Sequence, residues 1–229
     1  MNIAIVIAGG SGSRFGAKVP KQYVNVNNEP VILHTLRIFQ YAKCIDRIVL
    51  VCSKEWETYN KTLKTTHDLS KLTDFVQGGD TRFASIYNGI VFCYSQFDKQ
   101  DILVIHDAVR PCITGELLED NIKMARLNGA TLAAAPCFDT MFISSNGDFA
   151  EGIFPREKLF KGQTPVSIKA EMAAACYKKA IERNLFTDSP AALLLQLGEK
   201  VSLSKGSQQN LKITTQEDLT ILSCYSPKL

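Results

Sequence analysis

Three stretches of the sequence place charged side chains and glycines at the ends of apolar runs. The first is "AGGSGSRFGAKVPKQY" (8–23), which follows the apolar run Asn2–Ile7 and carries Gly9, Gly10, Gly12, Arg14, Lys18 and Lys21. Glycine has no Cβ, so a loop built from it turns tightly and approaches a ligand closely. Cations beside such a loop point to an anionic ligand. The loop is not a dinucleotide fingerprint, because a G-x-G-x-x-G begun at Gly10 meets Phe15 where glycine is required, and no G-K-[ST] closes a Walker loop. Two readings stay open for Ala8, Gly9, Gly10 and Gly12: a nest of backbone N–H groups facing phosphate oxygens, or a turn with solvated cations. Lys21 favours the nest. Pro20 fixes the backbone before it, and Arg14 with Lys21 could flank a polyphosphate and neutralise the charge that builds as a phosphorus–oxygen bond breaks.

The second stretch is "DILVIHDAVRP" (101–111), a strand whose C-terminal end carries His106, Asp107 and Arg110. Asp107 either caps a turn or, facing phosphates, holds Mg²⁺, which takes oxygen ligands from one or two carboxylates and the substrate. His106 is read as a structural hydrogen-bonding histidine rather than a base, since transfer to a phosphate needs no strong base. The third stretch, Gly78-Gly79-Asp80-x-Arg82-x-x-Ser85, puts glycines at a strand end and polar groups on the first turns of a helix. It suits either a base and ribose held by backbone groups and the Ser85 hydroxyl, or an ordinary helix start.

The elements that would position these groups alternate. Asn2–Ile7, "RIVLVCS" (47–53), "DFVQGG" (74–79), 101–111 and "ATLAAAP" (130–136) read as strands. Helices follow: one opened by Pro30, with Val31, Leu33, Leu36 and Tyr41 as core contacts, then 54–66, then Asp80–Tyr94 with Asp80 as N-cap, then one capped by Thr114 with Glu116 and Glu119 near its positive end. This alternation predicts a Rossmann-like, doubly wound α/β fold with a mainly parallel sheet, whose ligands bind at the carboxyl ends of the strands. All three polar stretches would share that edge. Beyond Pro136 the pattern changes to alternating residues around Asn146-Gly147, a hairpin signal. The chain reads as a single domain, 1–229, with a β-arm inserted at about 138–160 that has little core of its own and must reach the domain or a partner subunit. A helix over Ile168–Arg183, a second opened by Ser189-Pro190 and ended by Gly198, strands at "VSLS" and "NLKIT", and a final helix behind a Thr215-x-x-Asp218 capping box complete the expectation.

Composition limits the function. The 229 residues are 45% hydrophobic and 21% charged with a net charge of +3, typical of a soluble globular chain and too weakly basic to argue for nucleic acid. No apolar run is long enough to span a membrane, and the N-terminal run lacks a signal-peptide layout. Seven scattered cysteines without a C-x-x-C pair suit free thiols in a reducing cytoplasm.

Taken together, "AGGSGSR", "PKQY", "GGDTR", "HDAVRP", "DTM", "QTP" and "NLKITT", in this order and spacing, resemble the cytidylyltransferases that make CDP-activated polyols. That family contains the 2-C-methyl-D-erythritol 4-phosphate and the ribitol-5-phosphate enzymes, and the resemblance covers essentially the whole chain. It implies that Arg14 and Lys21 bind CTP phosphates and stabilise the transition state. It implies that Asp107 binds magnesium, and that Gly79, Asp80 and Ser85 surround the cytidine. It also implies that Thr140, Arg156, Thr164 and Lys212 surround the sugar phosphate and the metal-side phosphates, with Thr140 and Arg156 on an arm that crosses into the other subunit of a homodimer. One departure is "TDSP" (187–190), where the erythritol enzymes commonly carry Thr-Asp-Glu.

The sequence therefore points to CMP transfer from CTP to a polyol phosphate, with ribitol 5-phosphate favoured over methylerythritol 4-phosphate. "HDAVRPCIT", "KGQTP" and "KGSQQNLKITT" lean towards the ribitol enzymes, and "TDSPAALLLQLG" leans the other way. A sugar-1-phosphate nucleotidyltransferase using another nucleotide is disfavoured by "HDAVRP" and "NLKITT". A non-catalytic nucleotide-binding regulator has no need of Arg14, Lys21, Asp107 and Lys212 together.

Overall fold

In the computed structural model, which describes residues 1–10 and 19–224, a seven-stranded sheet carries the site on one edge. An interior strand, β1 (Asn2–Ala8), is buried on both faces. Ile3, Ile5 and Ile7 enter one hydrophobic cluster while Ala4, Val6 and Ala8 enter another. That split follows from side chains alternating across a strand. β4 (Arg47–Cys52) and β6 (Ile102–Asp107) flank β1 in parallel, and β5 (Leu72–Gln77) closes one side in parallel with β4. Helix α1 (Val31–Tyr41), α2 (Lys54–Thr66) and α4 (Gly115–Asn128) cover one face. α3 (Arg82–Gln96), α5 (Ala170–Glu182) and α6 (Pro190–Gln196) cover the other. Each fully buried Ile or Leu in these layers contributes on the order of 1.5–3 kcal/mol. The doubly wound α/β expectation holds.

The second half of the sheet is mixed. β10 (Phe160–Lys169) runs antiparallel between β6 and β7 (Ala130–Pro136), and β11 (Ser202–Lys205) pairs in parallel with β7. The sequence reading missed β10 and began a helix at Ile168. That helix starts at Ala170, because Ile168 is a fully buried strand residue paired with both neighbours. β10 is disguised by Pro165, which lacks a ladder donor and sits where the β10–β7 register shifts between Gly162 and Val166.

Other boundaries also moved. Thr81, not Asp80, caps α3, its hydroxyl accepting from Ala84 N, so Asp80 stays exposed ahead of the helix. Tyr41 is exposed, because two residues beyond Phe39 is the far side of the helix. "NLKIT" is no strand: its backbone follows no ladder, and Ile213 N donates once, to Val109 O. Thr114 and Ser189 cap α4 and α6 as expected. The last helix, α7 (Gln216–Cys224), has Asp218 accepting from Thr214 N and Thr215 N. Two short strands, β2 (Asn25–Val26) and β3 (Glu29–Pro30), link the glycine region to α1.

The arm is a hairpin of β8 (Met141–Ile143) and β9 (Gly152–Phe154). The pairing spans three residues a side and does not close on a two-residue Asn-Gly turn, because Ser145 N donates to Glu151, Ser144 Oγ accepts from Gly147 N, and Asn146 and Asp148 bond each other. Among the described residues no helix is long and apolar enough to cross a membrane. The six cysteines whose side chains are described are unpaired.

Candidate active site

The parallel strands β1, β4, β5 and β6 end on one edge, and a cavity of about 730 Å³ opens there. Ala8, Gly9 and Gly10 form one wall with Lys21. Gly79, Asp80, Arg82 and Ser85 form a second. Asp107 at the end of β6, Thr164 on β10 and Lys212 from the irregular segment beyond β11 complete the lining. Gly12 and Arg14 lie outside the described residues. Thr140 and Arg156 do not line this cavity: both are exposed on the arm, where Arg156 Nη1 donates to Phe138 O at 3.3 Å.

The two glycine walls touch through Ser85. A Cβ on Gly9 would stand 3.0 Å from Ser85 Oγ, and one on Gly78 would stand 3.3 Å from the same atom and 3.5 Å from Gly9 Cα. Ser85 Oγ accepts from Gly79 N at 3.1 Å and donates to Gly79 O at 3.3 Å, fixing the turn into α3. Gly79 has the least room, since its Cβ would fall 2.5 Å from Ala84 Cβ. The first wall is braced by Gln22, which the sequence reading passed over. Its Nε2 donates to Ala8 O at 2.7 Å and to Gly10 O at 3.0 Å. Tyr23, next in the chain, is stacked on Trp56 with centroids 3.9 Å apart and accepts a bond from Asn60 Nδ2. The Pro-led turn thus anchors Lys21 through its two successors.

Asp107 is the electrostatic centre. Arg82 donates to Oδ1 through Nη2 at 2.7 Å and Nε at 3.2 Å, Lys212 Nζ stands 3.1 Å from Oδ2, and Arg110 Nε lies 3.6 Å from Oδ2. Burial works to raise the Asp107 carboxyl, but Arg82, Lys212 and Arg110 overcome it and hold the group far below the usual carboxylate range. One carboxylate against three cations leaves positive charge to receive an anion. Among the described residues no three His, Cys, Asp or Glu side chains stand together as a metal site.

His106 underpins Asp107. It is fully buried, and burial pushes its pKa down to about 4, so it is neutral at pH 7. Its Nε2 lies 3.1 Å from Arg110 O, a carbonyl that can only accept, so Nε2 carries the proton. Nδ1 then accepts from Thr164 Oγ1 at 3.1 Å, and that hydroxyl accepts from Asp107 N at 3.2 Å. The chain of bonds uses every partner, as the structural reading of His106 requires, and it commits the Thr164 proton.

This arrangement matches known proteins along its full length. A family model described as 2-C-methyl-D-erythritol 4-phosphate cytidylyltransferase (IspD) matches residues 2–226. The chain belongs to that family. Its relatives include the 2-C-methyl-D-erythritol 4-phosphate cytidylyltransferase of Clostridium novyi, 37% identical over 95% of this chain and 93% of that protein. They also include the ribitol-5-phosphate cytidylyltransferase of Vibrio parahaemolyticus, 31% identical over 96% and 94%. The crystal structure of 4-diphosphocytidyl-2C-methyl-D-erythritol synthase from Anaerococcus prevotii superposes with a TM-score of 0.84 at 28% identity, covering 98% of this chain and 95% of that one. The chain is thus an enzyme of the CTP-dependent nucleotidyltransferase type, as the motifs implied.

Proposed function

We propose that this protein transfers CMP from CTP to ribitol 5-phosphate, releasing pyrophosphate, as a homodimer that uses Mg²⁺. The observation that carries the transfer chemistry is the cationic cluster around Asp107, facing two glycine walls across one cavity. The triphosphate lies along the Ala8–Gly10 wall and the base against Gly79, Asp80 and Ser85. Lys21, with Arg14 from outside the described residues, neutralises the α-phosphate and the leaving group. An acceptor phosphate oxygen, already anionic, forms a new bond to the α-phosphorus while the α–β anhydride bond breaks, and pyrophosphate departs with that electron pair. No proton need be abstracted, which suits a neutral, hydrogen-bonded His106.

Asp107 offers one carboxylate, which fits a magnesium ion held mostly by triphosphate oxygens, with Asp107 as its protein ligand in exchange for a cation. When bound, the ion supplies neutralisation of phosphate charge. Lys212 and Arg82, which now neutralise Asp107, would then be free to contact phosphate oxygens. Thr140 and Arg156 serve the acceptor site of the neighbouring subunit, which is consistent with their distance from their own cavity.

Ribitol 5-phosphate is favoured by the resemblance of "HDAVRPCIT", "KGQTP" and "KGSQQNLKITT" to the ribitol enzymes. Methylerythritol 4-phosphate is the second reading, favoured by the names of the relatives with higher identity. Purified protein offered each acceptor with CTP and Mg²⁺ decides. Turnover with ribitol 5-phosphate at least tenfold higher in kcat/KM supports the assignment, and the reverse preference replaces the acceptor while leaving cytidylyl transfer in place.

A further inference from the structure

Lys212 is presented by a segment with almost no regular structure, yet it sits within 3.1 Å of Asp107. Its position must be fixed by something other than a ladder. β10 supplies the fixing through one amide. Gln163, only 3% exposed, donates from Nε2 to Ser207 O at 2.7 Å and to Asn210 O at 3.3 Å. Its Oε1 accepts from Ser207 N at 3.1 Å and from Asn210 Nδ2 at 3.4 Å. Asn210, fully buried, donates back to Thr164 O at 2.8 Å, and its own carbonyl also takes Arg110 Nη1 at 2.8 Å. The segment is seated at its start by Gly206, whose N–H donates to Ala134 O at 2.9 Å and whose missing Cβ would fall 2.5 Å from Ala134 C. Ile213 N closes the far end on Val109 O. Both ends of the Gln163 amide are spent on the strap, so the side chain has no capacity left for a ligand although it borders the cavity.

We propose that Gln163 is a positioning residue: with Asn210 it forms an amide clasp that holds the 206–213 strap and thereby sets the placement of Lys212 for phosphate binding. The assignment rests on the transfer reaction proposed above. Leucine at this position fills a similar volume but satisfies none of the four partners: Ser207 N loses its acceptor, and Asn210 is left with only its bonds to Thr164 O, Arg110 Nη1 and Ser207 O. Lys212 would then be misplaced without being removed.

The test combines kinetics with hydrogen exchange on the full chain. Gln163→Leu should lower kcat/KM for the acceptor phosphate by roughly tenfold to a hundredfold, as expected when a charged group shifts by about an ångström. In a Lys212→Ala background the same substitution should cost less than about twofold, because its effect runs through Lys212. The Ile213 amide should exchange at least tenfold faster in Gln163→Leu while β1 amides keep their protection. If Gln163→Leu loosens the whole domain, Gln163→Glu, which keeps both acceptor contacts and loses the two donors, should still unprotect Ile213 selectively. Losses that multiply fully in the Lys212→Ala background, or Ile213 protection equal to wild type, would overturn the clasp. Wild-type protein that releases no pyrophosphate would refute the transfer reaction instead, and the exchange result would still decide whether the strap is held as described.

Discussion

At Asp107 burial and charge pull in opposite directions, and charge prevails because three cations stand within 3.6 Å. The same balance implies that removing one cation costs catalysis more than it costs folding. Lys21 belongs to the cavity wall opposite, and Lys21→Ala should lower kcat by roughly 10² to 10³ while the folded structure persists, the usual loss for one preorganised charged donor. Circular dichroism with steady-state kinetics checks both halves; wild-type turnover would remove Lys21 from the mechanism. His106 makes a pH prediction. Its folded pKa of about 4 lies below the ordinary histidine value, so the unfolded chain binds a proton that the folded chain refuses. Stability should therefore fall as pH drops from about 6.5 towards 4, by up to about 3 kcal/mol from this group. Asp107 adds its own loss only further down, as its lowered pKa is approached. Denaturant midpoints across that range should show the slope, and His106→Leu should flatten it while lowering stability at pH 7 by about 1–3 kcal/mol, since Thr164 and Arg110 O lose their partner.

Among the elements, the glycines do different work, and substitution separates them. Gly79→Ala forces its Cβ against Ala84, 2.5 Å away, so it should destabilise by about 1–3 kcal/mol and disturb the turn that Ser85 holds. Gly10 has nothing within 4 Å, so Gly10→Ala should leave the melting temperature unchanged and weaken nucleotide binding alone. Equal melting shifts in the two variants would contradict this division. The elements also explain what the sequence could and could not disclose. β1, β4 and β6 were legible because continuous apolar runs have few other uses. Asp107 was legible because a charged residue at a strand end faces one edge of such a sheet, and Lys21 because Pro20 precedes it beside a glycine loop. β10 was not, since Gly162 and Pro165 mimic a loop while a register shift absorbs both. The bracing roles of Gln22, Gln163 and Asn210 were not legible for another reason: a glutamine or asparagine in a sequence carries no sign of which distant carbonyl it will bind.

For the molecule as a whole, the arm is the unresolved obligation of the fold. Phe142, Phe149 and Ile153 are 61%, 78% and 63% exposed on a hairpin too short to bury them. In the homodimer proposed above, pairing two arms about a two-fold axis would cover them, and closed two-fold dimers are the commonest soluble assembly. Arg156→Ala should then damage the neighbour's site and Lys21→Ala its own. Each alone should be poorly active, and a mixture should regain activity through heterodimers that carry one intact site. No recovery on mixing, or a fully active monomer in sedimentation at assay concentration, would contradict the shared site. The central claim, that one cavity joins a cytidine triphosphate to a polyol phosphate, is tested most directly by pyrophosphate release with CTP, UTP and ATP in turn, each with and without ribitol 5-phosphate or methylerythritol 4-phosphate. A site that hydrogen-bonds one base rejects others strongly, because its buried polar groups are left unpaired. The account predicts release with CTP alone and only when an acceptor phosphate is present. Comparable release from UTP, or release from CTP that ignores the acceptor, would contradict it.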